Sequence, residues 1–176
     1  MNHNRIVCLD LEMCCWNQDG VGTTGEIIEV GLAEVDVLKG EIVKRAQYYV
    51  KPETDEVSLF CSELTGITPR KIEKQGRPLE AVIQSMIKNF GGANKIYASW
   101  GRDDLILQKE CEQKGIAMPF KEFINLATLY RVQNRVKDKR VGHREAQEKA
   151  GIDWEGRQHS GYVDAYNLAK LALTML

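Results

Sequence analysis

Little in this sequence points toward membranes, disulfides or bulk polyanions. No apolar run approaches the length of a membrane span, and the opening MNHNRIVCLD has neither the apolar core nor the small-residue cleavage site of a secretory signal, so a cytoplasmic protein is expected. Cysteine is sparse and odd in number at five, with no CxxC pair, so neither a disulfide framework nor a zinc knuckle is suggested. The adjacent Cys14 and Cys15 read as packing residues. Charge of one sign is missing too: 24 Lys and Arg face 25 Asp and Glu, a net charge of −1, which does not advertise a nucleic-acid binder. Repeats, low-complexity tracts and a Pro/Gly/Ser linker are absent, so the 176 residues read as one continuous domain, long enough to bury a core unaided. No GxSxG turn or other activated Ser or Cys is present, which argues against covalent acyl-transfer chemistry.

What is there is a sequence of strands, then an alternation. RIVCLDLEMCCW is apolar enough for a buried strand, and Asn17 to Gly25 reads as a polar, glycine-bearing loop. EIIEVGLAEVDV and EIVKRAQYYV form a hairpin about the LKGE turn. Helical patterns follow in SLFCSELTG and in PLEAVIQSMIKNF, which starts at Pro78 and stops at Gly91-Gly92. KIYASW and FINL read as strands around a helix at RDDLILQKECEQKG, and ATLYRVQNRV, HREAQEKAG and GYVDAYNLAKLALTML close the chain as helices. An antiparallel meander followed by βα crossovers describes an α/β domain, a mixed sheet covered by helices.

Certain acids break this pattern. Asp10 and Glu12 stand two apart in the apolar first strand and therefore share a face, where two ionised carboxylates are costly unless compensated. Asp104 heads a helical stripe with Leu107 and Cys111, and Asp164 heads one with Leu168 and Leu171. Taken singly, a first-turn acid such as Asp103 or Asp104 is accounted for by the helix dipole. Taken together, acids on separate elements form the oxygen-rich set that Mg²⁺ or Mn²⁺ requires. His159, five residues before Asp164, suits a general base acting on a water at such a site. His3 and His143 lack that placement and read as structural.

With Asp10-x-Glu12, then Asp104 after Trp100-Gly101, then His159 and Asp164, the chain resembles the DEDDh exonucleases. The strings LDLEMCCW, EIIEVG, YYVKPE, FCSELTGIT, the WG…DL…EC run, INL and RQHSGYVDAYNLA resemble the branch acting on RNA 3′ ends, with histone-mRNA 3′ exonuclease and KapD-like proteins. The resemblance implies an RNase H-like mixed five-stranded sheet with helices on both faces and a central first strand. It implies a 3′-to-5′ exonuclease releasing nucleoside 5′-monophosphates from single-stranded nucleic acid, RNA favoured over DNA, with two Mg²⁺ or Mn²⁺ ions. Asp10, Glu12 and Asp164 would hold one ion, Asp10 and the scissile phosphate the other, with Asp104 acting directly or through water and His159 as base. It also places Met13, Leu64 and Thr65 near the terminal nucleotide, with Phe60 and Trp100 as stacking or packing residues.

A carboxylate cluster repels phosphate, so the strand must be held elsewhere. The tract RVQNRVKDKRVGHR carries Arg131, Arg135, Lys137, Lys139, Arg140 and Arg144 against Asp138 alone, and is read either as a backbone track or as a solvated surface. Two other functions fit the same fold: a non-catalytic nucleic-acid- or protein-binding module, and an oligoribonuclease-like scavenger of short RNA.

Overall fold

A computed structural model of the chain describes residues 4–18, 21–137 and 140–176, which leaves His3, Asp138 and Lys139 outside the described residues. Its sheet has the order β3-β2-β1-β4-β5. Here β1 is Arg5–Gln18, β2 Val21–Asp36, β3 Glu41–Tyr49, β4 Ile96–Ser99 and β5 Glu122–Asn125. The first three pair antiparallel and β1, β4 and β5 pair parallel, so β1 is central and its two neighbours run in opposite senses. The expected five-stranded mixed α/β sheet is thus observed.

The helices are α1 (Leu59–Thr65), α2 (Pro69–Gln75), α3 (Leu79–Phe90), α4 (Asp103–Gln113), α5 (Leu126–Gln133), α6 (His143–Lys149) and α7 (Gly161–Met175). They cover both faces, and the period-2 alternation of β1 decides which residues meet which helices. Val7, Leu9 and Leu11 pack with Leu79, Val82, Ile83 and Met86 of α3 and with Leu107 of α4. Ile6 and Cys8 point the other way and pack against Ala165, Leu168 and Ala172 of α7. Asp10 and Glu12 continue the even-numbered row onto the α7 side.

Two elements differ from the sequence reading. Asn17 to Gly25 is not a loop throughout: β1 runs on to Gln18 and β2 begins at Val21, with Trp16 opposite Thr23 and Asn17 opposite Gly22. Strand pairing is a backbone property, and a hairpin arm projecting past the core needs no apolar alternation to persist. Helix α2 was also not expected. It is short, but Thr68 accepts the Lys71 N–H as its N-cap and Pro69 fills the first turn.

Register slips around Met13 mark a bulge in β1, beyond which both Cys14 and Cys15 are buried with Ile28, Val57 and Cys61. All five cysteines are free and buried, in keeping with the reading of Cys14 and Cys15 as packing residues. No helix among the described residues is long and apolar enough to cross a membrane.

Candidate active site

The bulge follows Glu12 immediately, so the two acids of β1 stand at the last regular positions of the central strand. Across the ladder Glu12 faces Glu29 of β2, a third carboxylate on the α7 side. Glu29 is 1% exposed. Its Oε2 accepts the Gly161 N–H at 3.1 Å and its Oε1 accepts the Tyr162 N–H at 3.0 Å and the Gln47 amide at 2.6 Å. A buried acid from the sheet thereby satisfies the orphan N–H groups at the start of α7 and meets the positive end of its dipole.

Contact between sheet and helix is close because glycine stands on both sides. A Cβ on Gly31 would lie 1.9 Å from the Gly161 carbonyl oxygen, and one on Gly161 would lie 3.1 Å from the Asp10 carbonyl oxygen. This docking brings Asp164, one turn into α7, against the β1 acids. Asp164 Oδ2 accepts the His159 N–H at 3.0 Å. His159 itself has a left-handed backbone, φ 62°, which turns the chain into the helix. Arg157 ties the same loop to the end of α1, donating to the carbonyls of Glu63 and, at 3.3 Å, Leu64.

The fourth acid of the cluster is not the expected one. Both Asp103 and Asp104 fit a helical stripe through Leu107, at offsets of four and three, so spacing cannot separate them. Structure separates them through Arg102, whose guanidinium forks onto Asp104 at 2.9 Å to each carboxylate oxygen. Asp103 instead adds its charge to the field at Asp10 and at Glu12. The expectation for Asp104 is therefore corrected: Asp103 joins the cluster, and Asp104 is engaged in an ion pair.

Electrostatics describe an unneutralised cluster. Burial first, then Asp103, Asp164, Glu12 and Glu29, raise the Asp10 carboxyl well above the usual range. Burial and the charges of Asp164, Glu29 and Asp103 push Glu12 up to about 8. Asp164 rises to about 7, burial outweighing the His159 N–H, and Asp103 to about 6, burial outweighing the nearby Ser99 hydroxyl. His159 is shifted down, by partial enclosure and then by Arg157, which favours the neutral imidazole. The carboxylates, whose charges would raise it, do not prevail.

A divalent cation fits this donor set. One ligand atom from each of Glu12, His159 and Asp164 lies within 4.8 Å of the others. Asp164 Oδ1 is buried with no hydrogen-bond partner among the described residues. Hard oxygen donors with uncompensated charge are what Mg²⁺ or Mn²⁺ takes.

The other expected residues fall into two groups. Thr65 is buried, donates to the Cys61 carbonyl at 2.8 Å and accepts the Ile67 N–H at 3.0 Å, so its hydroxyl is used within its own helix end. Met13 packs against the α3 side of the core and Leu64 against the cysteine cluster. Trp100 is no open platform: its indole N–H donates to the Val141 carbonyl at 3.1 Å and its ring stacks on His143. His143 is structural as expected, enclosed between Trp100 and Trp154 and shifted down to about 4 by burial. Arg135, Lys137 and Arg140 are exposed. Glu29 was missed, although a Glu inside EIIEVG is the same anomaly that marks Asp10.

Comparison with known proteins finds one family for the chain. The family model described as Exonuclease (RNase_T) matches residues 7–172. ERI1 exoribonuclease 2 of Xenopus laevis is 32% identical over 97% of this chain, which spans 28% of that relative's length. Among solved structures, one of a 3′-exonuclease recognising the 3′ end of a histone mRNA stem-loop superposes with a TM-score of 0.82, at 28% identity over 98% of this chain and 81% of its own. The nuclease domain of 3′hExo, a DEDDh family member bound to rAMP, superposes with a TM-score of 0.81, at 28% identity over 99% of this chain and 92% of its own.

Proposed function

Because the chain belongs to the Exonuclease (RNase_T) family, we propose that it is a divalent-metal-dependent 3′-to-5′ exonuclease acting on single-stranded nucleic acid, RNA in preference to DNA. The observation that carries this reading is the cluster of Glu12, His159 and Asp164, whose ligand atoms lie within 4.8 Å of one another, with Asp10 and Asp103 adding their charges beside it and Asp164 Oδ1 without a hydrogen-bond partner among the described residues. Preference for RNA rests on the likeness to exoribonucleases.

Asp10, Glu12, Asp103 and Asp164 would hold two ions, which supply neutralising charge for the scissile phosphate and for the oxygens that attack and leave. His159, whose shift favours the neutral imidazole, takes the proton of the attacking water, so no covalent intermediate is needed. Glu29 holds the first turn of α7, and with it His159 and Asp164, against β1. Met13 and Leu64 flank the seat of the terminal nucleotide, whose product is a nucleoside 5′-monophosphate. Thr65, beside Leu64 at the end of α1, and Trp100, just past β4, are held by their own hydrogen bonds and act by packing.

The test uses 5′-labelled single-stranded RNA and DNA of matched sequence with Mg²⁺, Mn²⁺ or EDTA. A ladder shortening from the 3′ end in either metal, faster on RNA, and intact strands in EDTA are expected. Internal cuts at the outset, or undiminished cleavage in EDTA, would overturn the reading.

A further inference from the structure

Two concavities share Thr128 and Arg131 in their walls, one of about 500 Å³ and the other of about 460 Å³. The first begins at Trp100, Gly101 and Arg102, the residues that lead into Asp103, and continues to Arg131 and Arg140. The second carries on from Arg131 to Arg135 and Lys137. Together they form one groove.

Its position follows from topology. Strands β1, β4 and β5 are parallel, so their C-terminal ends open on one edge of the sheet. Asp103 stands just past the end of β4, and Asn125, at the end of β5, lines the groove. Ligands of open α/β sheets bind outside the carboxyl ends of the strands.

The lining separates charge that the whole chain balances. Arg102, Arg131, Arg135, Lys137 and Arg140 line the two concavities, and no acidic residue does among the described residues. Arg102 is matched by Asp104. The other four make no ion pair among the described residues, so their charges are uncompensated on a chain whose net charge is −1. Among the described lining residues Trp100 alone is aromatic. Its indole N–H is committed to the Val141 carbonyl and its ring packs against His143 and Tyr130, so it is engaged from within the fold. Cations without stacking platforms read phosphates rather than bases.

Resting on the exonuclease reading, we infer that this groove is the seat of the sugar–phosphate backbone on the 5′ side of the scissile bond. The 3′ nucleotide occupies the carboxylate cluster, and the upstream phosphates leave past Arg102 over Arg140 and Arg131 toward Arg135 and Lys137. Grip there is independent of sequence and sensitive to salt. It also depends on length: a dinucleotide does not extend along the groove, whereas a 12-mer does.

The experiment has two arms, both on the full chain, comparing wild type with R131Q/R135Q and R131K/R135K and checking each variant for an unchanged melting temperature. In the first, the ratio of KM for a 12-mer RNA to KM for a dinucleotide should rise about tenfold in the Gln variant and stay at the wild-type value in the Lys variant. In the second, binding of the 12-mer is measured in Ca²⁺ across a salt series. With about 0.7 of slope lost for each phosphate contact on a single strand, the Gln variant should flatten the plot of log K against log salt by roughly 1.4. An unchanged KM ratio with an unchanged slope would overturn the groove. Absence of cleavage on every substrate would instead overturn the exonuclease reading, and the Ca²⁺ arm would still decide the groove.

Discussion

Asp103 and Asp104 are neighbours in sequence with opposite surroundings, and a single substitution at each tells them apart. Asp103→Asn removes a carboxylate from the field at Asp10 and Glu12, so single-turnover cleavage should slow by at least roughly 10²-fold, on the scale of losing a preorganised charged group. Asp104→Asn breaks the pair with Arg102 and should stay within a few-fold of wild type; the reverse order of effects would return the role to Asp104. At His159 the issue is timing of a proton. Its pKa is shifted down, so the wild-type rate should climb with pH below about the ordinary histidine value of 6.5 and level off as the ring becomes neutral. His159→Ala should lose that limb and about 10²–10⁴-fold in rate, read by single-turnover cleavage across pH. A few-fold loss with an unaltered profile would mean the imidazole is not the base.

Helix α7 carries Asp164 in its first turn, with His159 just before it, and owes its placement to partners on the sheet. Gly31→Ala would force a methyl into the Gly161 carbonyl, 1.9 Å away, so the helix must shift. A stability loss of about 1–3 kcal/mol is expected from denaturant unfolding, the usual cost of overpacking, with a disproportionate loss of turnover because Asp164 moves with the helix. Retention of full activity would show that α7 tolerates displacement. The sequence foretold this element and its acid, since Asp164 continues a stripe of leucines. It also foretold the shared face of Asp10 and Glu12, because a period of two in an apolar strand leaves no other outcome. It could not choose between Asp103 and Asp104, because both offsets suit a 3.6-residue period and the deciding partner, Arg102, acts by side-chain geometry. Helix α2 escaped because seven residues with Ile72 alone buried give no periodic signal. The outer hairpin escaped because its pairing is made by backbone.

For the molecule as a whole, the carboxylate cluster sets how stability depends on pH. Glu12, Asp164 and Asp103 are raised to about 8, 7 and 6 from ordinary values near 4.5, 3.8 and 3.8. A group raised by folding binds protons more tightly in the native state, so its contribution is complete below the ordinary value and is lost as pH rises through the raised one. In EDTA the melting temperature should therefore fall between pH 5 and 8.5, and Asp10→Asn should flatten that fall and be no less stable than wild type at pH 8. Mn²⁺ should raise the melting temperature most at the alkaline end, where the acids are free of protons. A flat profile in EDTA would mean that the charges are compensated within the fold. The buried cysteines make the same equilibrium visible by chemistry. Burial pushes the thiols of Cys8, Cys14 and Cys15 up to about 12 and that of Cys111 to about 11, and an un-ionised, enclosed thiol does not react. Alkylation of the native protein must then wait for the structure to open, and its rate becomes a clock for opening. That clock should run slower in Mn²⁺ than in EDTA, and most clearly for Cys8, two residues from Asp10 on the central strand.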